Sequence, residues 1–598
     1  MIQILSVLSQ RRHSAALLAT LALIPALRAQ DLRQVLPEPV PPLVDAPETS
    51  DPAADFAQLK TELGGAAEGE EVLVAELKGV VLLRDASRIN TITLAPGQTS
   101  NLGDFPELDT EALQGVVNLF IGESVSQESI QRLRISLSLL LAQQGRPFSI
   151  LYTPPQDITD GTLHLVFQES SVGAVRVEGA RHFSEADYLR RIEQRTGEAV
   201  DAAALNTGIE RINRNPFRQA ALRVGKGKAP ATTDVVIAVE ERFPLRVFAG
   251  YSNTGTATTT EDRINAGVNW GNAFGLGHQM TAQWTSDLES RYSRSVSANY
   301  IADLPRNHTL ALFGAYSEIA SVPAGGLSTE GTSWQVGANY DIPLPAAAKR
   351  YTHHLQFGAD FKSSDNNIEF ALPPFIIPIS DNLTHIVQVR AEYRGTLNDV
   401  FGATTASLKL TASPGGLTAE NEDVAFNGSR AGAEAAYAYA KLALTRQTRL
   451  DAIMRGLSWT VRGELQLASG NLLGSEQFSG GGTGSVRGYE QGEVVGDNAL
   501  FFSQELVFPA FTALPRFFEG APRDALSPYL FHDYARLWNV DKLPGERPFN
   551  LHSVGVGLRY QLGRHGSVQA ALGWQLRDSG SSDTGDNHRL HLSANLSF

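Results

Sequence analysis

The chain of 598 residues contains no cysteine. This absence excludes disulfide bonds, thiolate metal sites and cysteine nucleophiles, so an oxidising compartment has left no mark on the sequence. Positive charge is also scarce, because 50 Lys and Arg residues face 64 Asp and Glu residues, which gives a formal net charge of −14. A chain of this sign lacks a dominant basic face for neutralising phosphates, and we expect no nucleic-acid partner.

Long apolar runs are missing as well. No segment after the N-terminal region approaches about 18 consecutive apolar residues, which argues against a transmembrane helix. The one apolar stretch, from Ala15 to Leu27, follows the basic residues Arg11 and Arg12 and precedes a small-residue site at Ala29. This pattern predicts a secretory signal peptide over residues 1–29 and an exported mature chain.

Catalytic motifs are the third absence. The sequence has no nucleotide P-loop, no His-Glu-x-x-His motif and no nucleophile elbow. The 13 histidines are scattered, and the neighbours His353 and His354 point to opposite faces of a strand. We therefore expect no enzymatic activity, no catalytic residue, no metal, no nucleotide and no other cofactor.

The N-terminal part of the mature chain is rich in proline. Residues 30–71 contain six prolines between Pro37 and Pro52, together with many Ala, Asp and Glu residues. Such a composition predicts a linker. Phe56, Leu59 and Leu63 have helical spacing, which is compatible with a short helix able to plug a channel or with a solvated turn.

Residues 72–242 contain an internal repeat. Each unit of about 80 residues has the pattern β-α-α-β-β. In the first unit, residues 72–170, an amphipathic helix begins near Ser126 and carries Leu133 and Leu137 on one face. In the second unit, residues 171–242, we predict one helix after the cap Ser184 and another over 202–213. The repeat predicts two α+β domains.

Residues 243–598 alternate polar and apolar side chains. The last strand is the clearest, because Leu590, Leu592, Ala594, Leu596 and Phe598 occupy one face and His, Ser and Asn the other. A soluble sandwich would bury large residues of both sheets and place charges outside. Here the polar face holds Gly, Asn, Gln and isolated charges, which is typical of the lumen of a membrane barrel. About sixteen segments of this kind predict a transmembrane antiparallel β-barrel with strands of about ten residues.

Four local motifs and the C-terminal residue carry a family resemblance. One turn motif is Pro155, Gln156, Asp157 and Gly161, and a second is Asn215, Pro216, Arg218 and Asp234. A loop tip is formed by Val486, Arg487, Gly488 and Tyr489, and a strand motif by Phe531, Asp533 and Ala535. The terminal Phe598 is characteristic of bacterial outer-membrane barrels. Together these residues resemble the TpsB outer-membrane transporters of two-partner secretion, which include haemolysin and filamentous-haemagglutinin exporters, and the two turn motifs look like turns of that family's POTRA (polypeptide-transport-associated) domains.

The resemblance implies two periplasmic POTRA domains, over residues 72–170 and 171–242, followed by an outer-membrane barrel over 243–598. It implies that the POTRA domains recognise an unfolded exoprotein and that the barrel translocates it to the cell surface. The client would be an adhesin, a haemolysin or a haem-binding protein. Other implied partners are outer-membrane lipid and the barrel assembly machinery during biogenesis. An assembly insertase of the same superfamily and a diffusion porin are the alternative functions.

Arg487 and Asp533 have a physical interpretation of their own. A guanidinium group is a planar, permanently charged fork that suits a carboxylate. Strand periodicity places Phe531, Asp533 and Ala535 on one wall. If that wall faces the lumen, as the resemblance implies, Asp533 is a fitting partner for Arg487.

Overall fold

The computed structural model describes residues 72–598 except for 90, 103, 106–107, 109–110, 144–145, 147, 230, 258, 322–326, 346–349, 373–374, 514–523 and 581–586. The predicted signal peptide and the Pro-rich segment 30–71, with the short helix or turn expected around Phe56, Leu59 and Leu63, lie outside the described residues. The described chain forms two compact units. One comprises residues 72–244 with 271–277, and the other comprises residues 245–270 with 278–598. Within the described residues, no helix has the length and apolar character needed to cross a bilayer.

Among its described residues, the first α+β repeat contains a four-stranded sheet and two α-helices. Its elements are β1 (Val72–Val74), β2 (Gly79–Leu83), a 3-10 turn (Ala86–Arg88), β3 (Ser100–Asn101), α1 (Glu111–Asn118), β4 (Val125–Ser126), α2 (Gln127–Gln143), β5 (Ser149–Tyr152) and β6 (Thr162–Glu169). The sheet order is β3-β2-β6-β5, and β1 pairs separately with β4. The predicted amphipathic helix is α2, whose Leu133 and Leu137 are buried in the core beside Leu82 of β2.

The second repeat follows the order β-α-α-β-β expected from the sequence. Its elements are β7 (Ser171–Glu178), α3 (Glu185–Arg191), α4 (Ala202–Asn213), β8 (Arg218–Lys226) and β9 (Thr232–Glu241), with the sheet order β7-β9-β8. The side chain of Ser184 accepts a hydrogen bond from the Asp187 amide and caps α3. Asp201 caps α4 by accepting from the amides of its first turn. Both helices therefore begin at a short polar side chain.

A buried ion cluster joins α3 to β8 in this repeat. The side chains of Asp187, Arg191 and Arg218 are 4%, 2% and 0% exposed, and Asp187 contacts both guanidinium groups. Burial raises the pKa of Asp187, but the two arginines outweigh burial and hold that pKa below its ordinary value of 3.8. Arg218 also donates through Nε to the Ile212 carbonyl oxygen at 3.1 Å. The cluster therefore fixes the end of α4 and the start of β8.

We expect Asp187→Asn to destabilise the second repeat by about 3–5 kcal/mol, because two buried cations lose their carboxylate. A carboxylate with a lowered pKa contributes stability above its ordinary pKa and loses it as the pH falls toward the lowered value. Urea unfolding of a fragment of residues 72–244, followed by circular dichroism at neutral pH and at falling pH, measures both effects. The exposed Glu185→Gln on the same helix is the control. Equal stability of Asp187→Asn and wild type at neutral pH would contradict the expectation.

The rest of the described chain is a closed antiparallel barrel of sixteen strands. Its strands are β10 (Leu245–Ser252), β11 (Arg263–Ala273), β12 (His278–Ser286), β13 (Ser293–Asp303), β14 (Thr309–Ala320), β15 (Leu327–Pro343), β16 (Tyr351–Leu372), β17 (Phe375–Asp399), β18 (Gly402–Pro414), β19 (Ala436–Arg449), β20 (Ser458–Ala468), β23 (Asn498–Val507), β24 (Asp524–Trp538), β25 (Phe549–Leu562), β26 (Gly566–Gln575) and β27 (His588–Ser597). A 3-10 turn (Pro305–Asn307), a short helix α5 (Asp423–Ser429) and a hairpin of β21 (Phe478–Gly480) and β22 (Val494–Gly496) lie in its connections. The fold class predicted from the sequence is confirmed.

Side-chain exposure follows the predicted alternation in the last strand. Leu590 and Leu596 are 50% and 54% exposed on the outside, whereas His591 and Ser597 are buried. The barrel closes where β27 pairs with β10, at five positions from Phe248↔Ser597 to Ser252↔Ser593. The apolar face is thus directed to lipid and the polar face to the lumen.

Two strands are much longer than the predicted ten residues. β16 has 22 residues and β17 has 25. Their pairing continues to Leu372↔Phe375, whereas β17 pairs with β18 only from Val389 onward. The hairpin of β16 and β17 therefore extends past the end of β18. The length of a strand is set by the residues with which it pairs, and not only by the thickness of the bilayer.

Candidate functional site

The candidate site is built by the connection between β20 and β23, which we call loop 6 (residues 469–497). Within it, β21 pairs with β22. The segment between these two strands carries the predicted motif Val486, Arg487, Gly488 and Tyr489, which we call the tip. All four tip residues are buried, and Val486 and Tyr489 are 0% exposed. The tip contacts inward-facing residues of the barrel wall, so it lies inside the lumen.

Arg487 forms a bidentate ion pair with Asp533 of β24. Its Nε and Nη2 atoms each lie 2.8 Å from an oxygen of the Asp533 carboxylate, and its backbone amide donates to the same group at 3.1 Å. The guanidinium carbon lies 3.7 Å from the ring centroid of Phe531, a cation–π contact. The two residues that the sequence analysis suggested as partners are therefore in direct contact, and Phe531 packs against the arginine.

Two residues of β23 and one residue of β25 complete this cluster. Arg487 donates through Nη1 to Glu505, whose second oxygen accepts from Arg559 of β25 at 2.6 Å. The hydroxyl of Ser503 donates to Asp533 at 2.7 Å. The cluster thus contains two guanidinium groups and two carboxylates, so its charges balance. Ser503 and Glu505 were missed by sequence reasoning, although their alternate positions in β23 place both on one wall.

Gly488 brings the tip into close contact with the last two strands. Its amide donates to Nε2 of His591 on β27 at 3.0 Å, and its carbonyl oxygen accepts from Gln575 of β26 at 2.8 Å. Its φ of +92° belongs to the left-handed region that favours glycine. The facing wall residue is also a glycine, Gly573, where a Cβ atom would lie 2.6 Å from the Gly488 nitrogen. The fit therefore requires two glycines.

Val486 and Tyr489 anchor the tip by packing. They share an apolar cluster with Ala535 of β24, which is 0% exposed. The Tyr489 hydroxyl lies 3.0–3.1 Å from the backbone nitrogen and oxygen of His552 on β25. The four tip residues are thus attached to every strand from β23 to β27.

The base of loop 6 has a separate polar anchor. Asp497, 0% exposed, accepts from the Leu472 amide at 2.9 Å and from the Gln477 side chain at 3.0 Å. It also forms an ion pair with Arg430, which follows α5. These contacts hold the two legs of the loop together where they leave the wall.

A polar cavity of about 730 Å³ adjoins the tip inside the lumen. Its lining includes Arg487 and Glu505 of the cluster together with Thr460, Arg462 and Gln569 of the wall. The lumen is therefore filled only in part by loop 6. Among the described residues, no group of three or more histidine or acidic side chains is arranged to hold a metal ion.

The predicted residues of the first POTRA turn lie between β5 and β6. The Gln156 side chain accepts from the His164 amide at 2.7 Å and donates to the His164 carbonyl oxygen at 2.6 Å. Asp157 accepts from the amide two residues later, and Gly161 accepts from the backbone that precedes β2. Pro155 is exposed. These contacts attach the turn to β6.

The predicted residues of the second POTRA domain lie around β8 and β9. Asn215, 1% exposed, accepts from the amide two residues later, and Pro216 lies within that turn. Arg218 belongs to the buried cluster with Asp187, and Asp234 lies 3.6 Å from an arginine of β7. These residues stabilise turns and contacts between neighbouring elements of the repeat, and they do not converge on one site.

The C-terminal residue lies at the end of the barrel opposite loop 6. Phe598 exchanges backbone hydrogen bonds with Val247 at 2.9 and 3.0 Å. Its ring stacks on His565, with 5.8 Å between ring centroids. The ring is 74% exposed on the outside.

Two α+β repeats and a sixteen-stranded barrel that holds its own sixth loop in the lumen define the class of outer-membrane barrels with POTRA domains. The family model of the haemolysin secretion/activation protein ShlB/FhaC/HecB matches residues 231–560, more than half of the chain. The ShlB-type POTRA model matches residues 101–170. The chain belongs to the ShlB/FhaC/HecB family, whose members lie in the outer membrane with periplasmic POTRA domains.

Individual relatives are more distant. The chain is 22% identical over 200 residues to the outer membrane transporter CdiB-2 of Burkholderia pseudomallei, which is 33% of this chain and 34% of that protein. It is 21% identical over 238 residues to the heme/hemopexin transporter protein HuxB of Haemophilus influenzae, 39% of this chain and 42% of that protein. The matches thus span less than half of either relative.

A solved structure of similar fold is CdiB from Escherichia coli. It superimposes with a TM-score of 0.67 over 93% of this chain and 100% of that chain, at 16% sequence identity. The likeness covers both the POTRA region and the barrel, and it supports the fold class.

The glycine contact between tip and wall gives a test that leaves every charge in place. In Gly573→Ala the new methyl group would overlap the Gly488 backbone, so we expect the tip to leave its position while the barrel still forms. Hydrogen exchange of the 486–489 amides should become faster, and conductance in planar bilayers should rise. Gly463→Ala is the matched control, because a Cβ atom there has 3.8 Å of clearance. Unchanged exchange in Gly573→Ala would contradict the close fit.

Proposed function

We propose that the protein is the outer-membrane transporter of a two-partner secretion system. Its POTRA domains recognise an unfolded exoprotein in the periplasm, and its barrel translocates that exoprotein to the cell surface. The observation that carries the proposal is the tip of loop 6, which a charge-balanced cluster holds inside a sixteen-stranded lumen. Family membership and the presence of a POTRA domain support the same function.

The first POTRA domain offers an edge for an extended client. β5 is an end strand of its sheet, and Ile150 and Tyr152 of β5 are 38% and 36% exposed. A strand added to such an edge gains main-chain hydrogen bonds without a specific sequence, and the exposed side chains add apolar selectivity. This mode favours an unfolded, β-prone client and an affinity of about 1 μM, near −8 kcal/mol.

The cluster around Arg487 acts as a releasable closure in this proposal. A buried ion pair costs about 3–5 kcal/mol to break and an exposed pair about 0–1 kcal/mol. The cluster lies against the polar cavity, so its strength falls between these limits. That is enough to hold the loop at rest and little enough for an entering chain to displace it. Transport then needs no nucleotide site, since folding of the client outside the cell supplies direction.

The client is a large secreted exoprotein of the adhesin, haemolysin or haem-binding type. HuxB is named a heme/hemopexin transporter, and the CdiB proteins are named outer membrane transporters. The barrel contacts outer-membrane lipid through its apolar face and requires the barrel assembly machinery during biogenesis. A very large open reading frame beside the gene would encode the candidate client, and its export on co-expression with this protein tests the pairing.

Deletion of residues 72–170 should abolish export of the client while the barrel still inserts, because capture in the periplasm precedes translocation. Client in the culture medium and heat-modifiable barrel in the outer membrane are the two measurements. Export at the wild-type level from this deletion would refute capture by the first POTRA domain. If other barrels fail to assemble while a co-expressed client is unaffected, the insertase alternative is favoured instead.

Arg487→Ala should leave a near-normal amount of barrel in the membrane but lower client export by about tenfold or more, the equivalent of about 1.4 kcal/mol. Arg487→Lys should rescue poorly, because an ammonium group lacks the bidentate fork. Asp533→Ala should resemble Arg487→Ala, and the double variant should be no worse than either single variant. Strictly additive losses would mean that the two residues act separately, which would exclude a releasable closure formed by the pair.

A further inference from the structure

A second buried ion cluster holds loop 6 at residues that precede β21, away from the tip. We call residues 469–477 the stem. Glu476 of the stem is 0% exposed, and its Oε1 atom lies 2.6 Å from Nζ of Lys362 on β16. Its Oε2 atom accepts from the Tyr439 hydroxyl on β19 at 2.9 Å. The stem is thus attached to wall strands other than those that hold the tip.

The wall is built to receive this carboxylate. Lys362 also lies 3.7 Å from Asp360 of β16, and Asp360 pairs with Arg390 of β17 at 2.8 Å. Two acids and two bases therefore alternate from Glu476 to Arg390, and their charges balance. Such an arrangement compensates for removing four charged groups from bulk water.

The two legs of the loop are joined below the tip without using any tip residue. Asp497 binds Leu472 and Gln477 of the stem, and the Glu476 carbonyl oxygen accepts from Gln466 of β20 at 3.2 Å. Above this base only the short pairing of β21 with β22 leads to the tip segment 481–493. Gly481, the first residue of this segment, and Gly492, its last but one, have φ values of +103° and +64°.

We propose that Glu476 is a positioning residue that keeps the stem stationary on β16 and β19 while only segment 481–493 is displaced by a passing client. This inference rests on the proposed function. The stem cluster and the tip cluster share no residue and no wall strand, so breaking one leaves the contacts of the other intact. Release of the tip is then a rotation at Gly481 and Gly492 and not an excursion of the whole loop.

Hydrogen exchange of the full-length protein in detergent tests the partition without a client. Glu476→Gln keeps the shape of the side chain but removes its charge, and we expect amides 469–477 to exchange about tenfold faster. The amides of 486–489 should be unchanged. Arg487→Ala should show the converse pattern. Glu464→Gln is the matched control, since Glu464 is a wall carboxylate paired with Lys441 at 3.4 Å.

Two outcomes would overturn the proposal. If Glu476→Gln leaves exchange of the stem unchanged, Glu476 is not an anchor. If either variant accelerates stem and tip together, the loop moves as one body.

Cross-linking then tests the stationary stem during export. The chain has no cysteine, so Lys362→Cys with Glu476→Cys provides the sole pair of thiols. With a short reducible bifunctional linker between them, client export should proceed as in the wild type. Normal insertion with export lost on linking and restored by reduction would overturn the proposal. Absence of export from the wild type itself would count against the proposed function, while the exchange pattern still decides the role of Glu476.

Discussion

The barrel depends on complete pairing of its backbone polar groups, because the hydrocarbon core of a membrane offers them no hydrogen-bonding partner. The pairing of β10 with β27 from Phe248↔Ser597 to Ser252↔Ser593 meets this requirement and removes the open edge. Successive side chains of a strand point to opposite faces, so each lipid-facing residue has neighbours that face the lumen. In this chain those neighbours are mostly polar. A closed ladder of sixteen strands therefore creates a polar interior that can accept a charged loop.

The charges in that interior are arranged in balanced groups. Arg487 and Arg559 face Asp533 and Glu505, and the ring of Phe531 lies against the first guanidinium group. A single buried cation would be costly, whereas a paired one exchanges water contacts for carboxylate contacts. The adjoining polar cavity limits the net gain. Because Arg559 is half-buried and the cluster borders the cavity, its ion pairs are only partly removed from water, and we expect a closure of intermediate strength.

The sequence predicted the features that depend on local pattern. Alternation predicted the barrel and its strand number, and spacing predicted α2 and α4. The contact of Arg487 with Asp533 was foreseen because one wall of β24 carries the whole strand motif. The predicted strand length of about ten residues was wrong for β16 and β17, because the pairing of these two strands extends beyond the length needed to cross the bilayer. The β-α-α-β-β pattern implied two helices in the first unit, but spacing placed only α2, and the bounds of α1 come from the structure alone.

Contacts that depend on how a loop returns to the wall could not be predicted. Glu505 and Ser503 bind Arg487 because the register aligns Ser503 with Asp533 and Glu505 with Phe531, and register is set by turns and neighbouring strands. Glu476 meets Lys362 across 114 positions of the chain. A sequence pattern shows which residues face the lumen, but it does not show where loop 6 crosses it.

The pair of glycines at 488 and 573 shows that charge alone does not define the resting position of the tip. An arginine in a lumen with several carboxylates has more than one electrostatic partner, and Coulomb attraction changes slowly with distance. Steric contact changes abruptly, and a single Cβ atom at Gly573 would collide with the Gly488 backbone. Close backbone approach therefore selects one position among those that the charges allow. The charges attract the tip to the wall, and the absence of side chains at Gly488 and Gly573 allows the two backbones to meet at this one position.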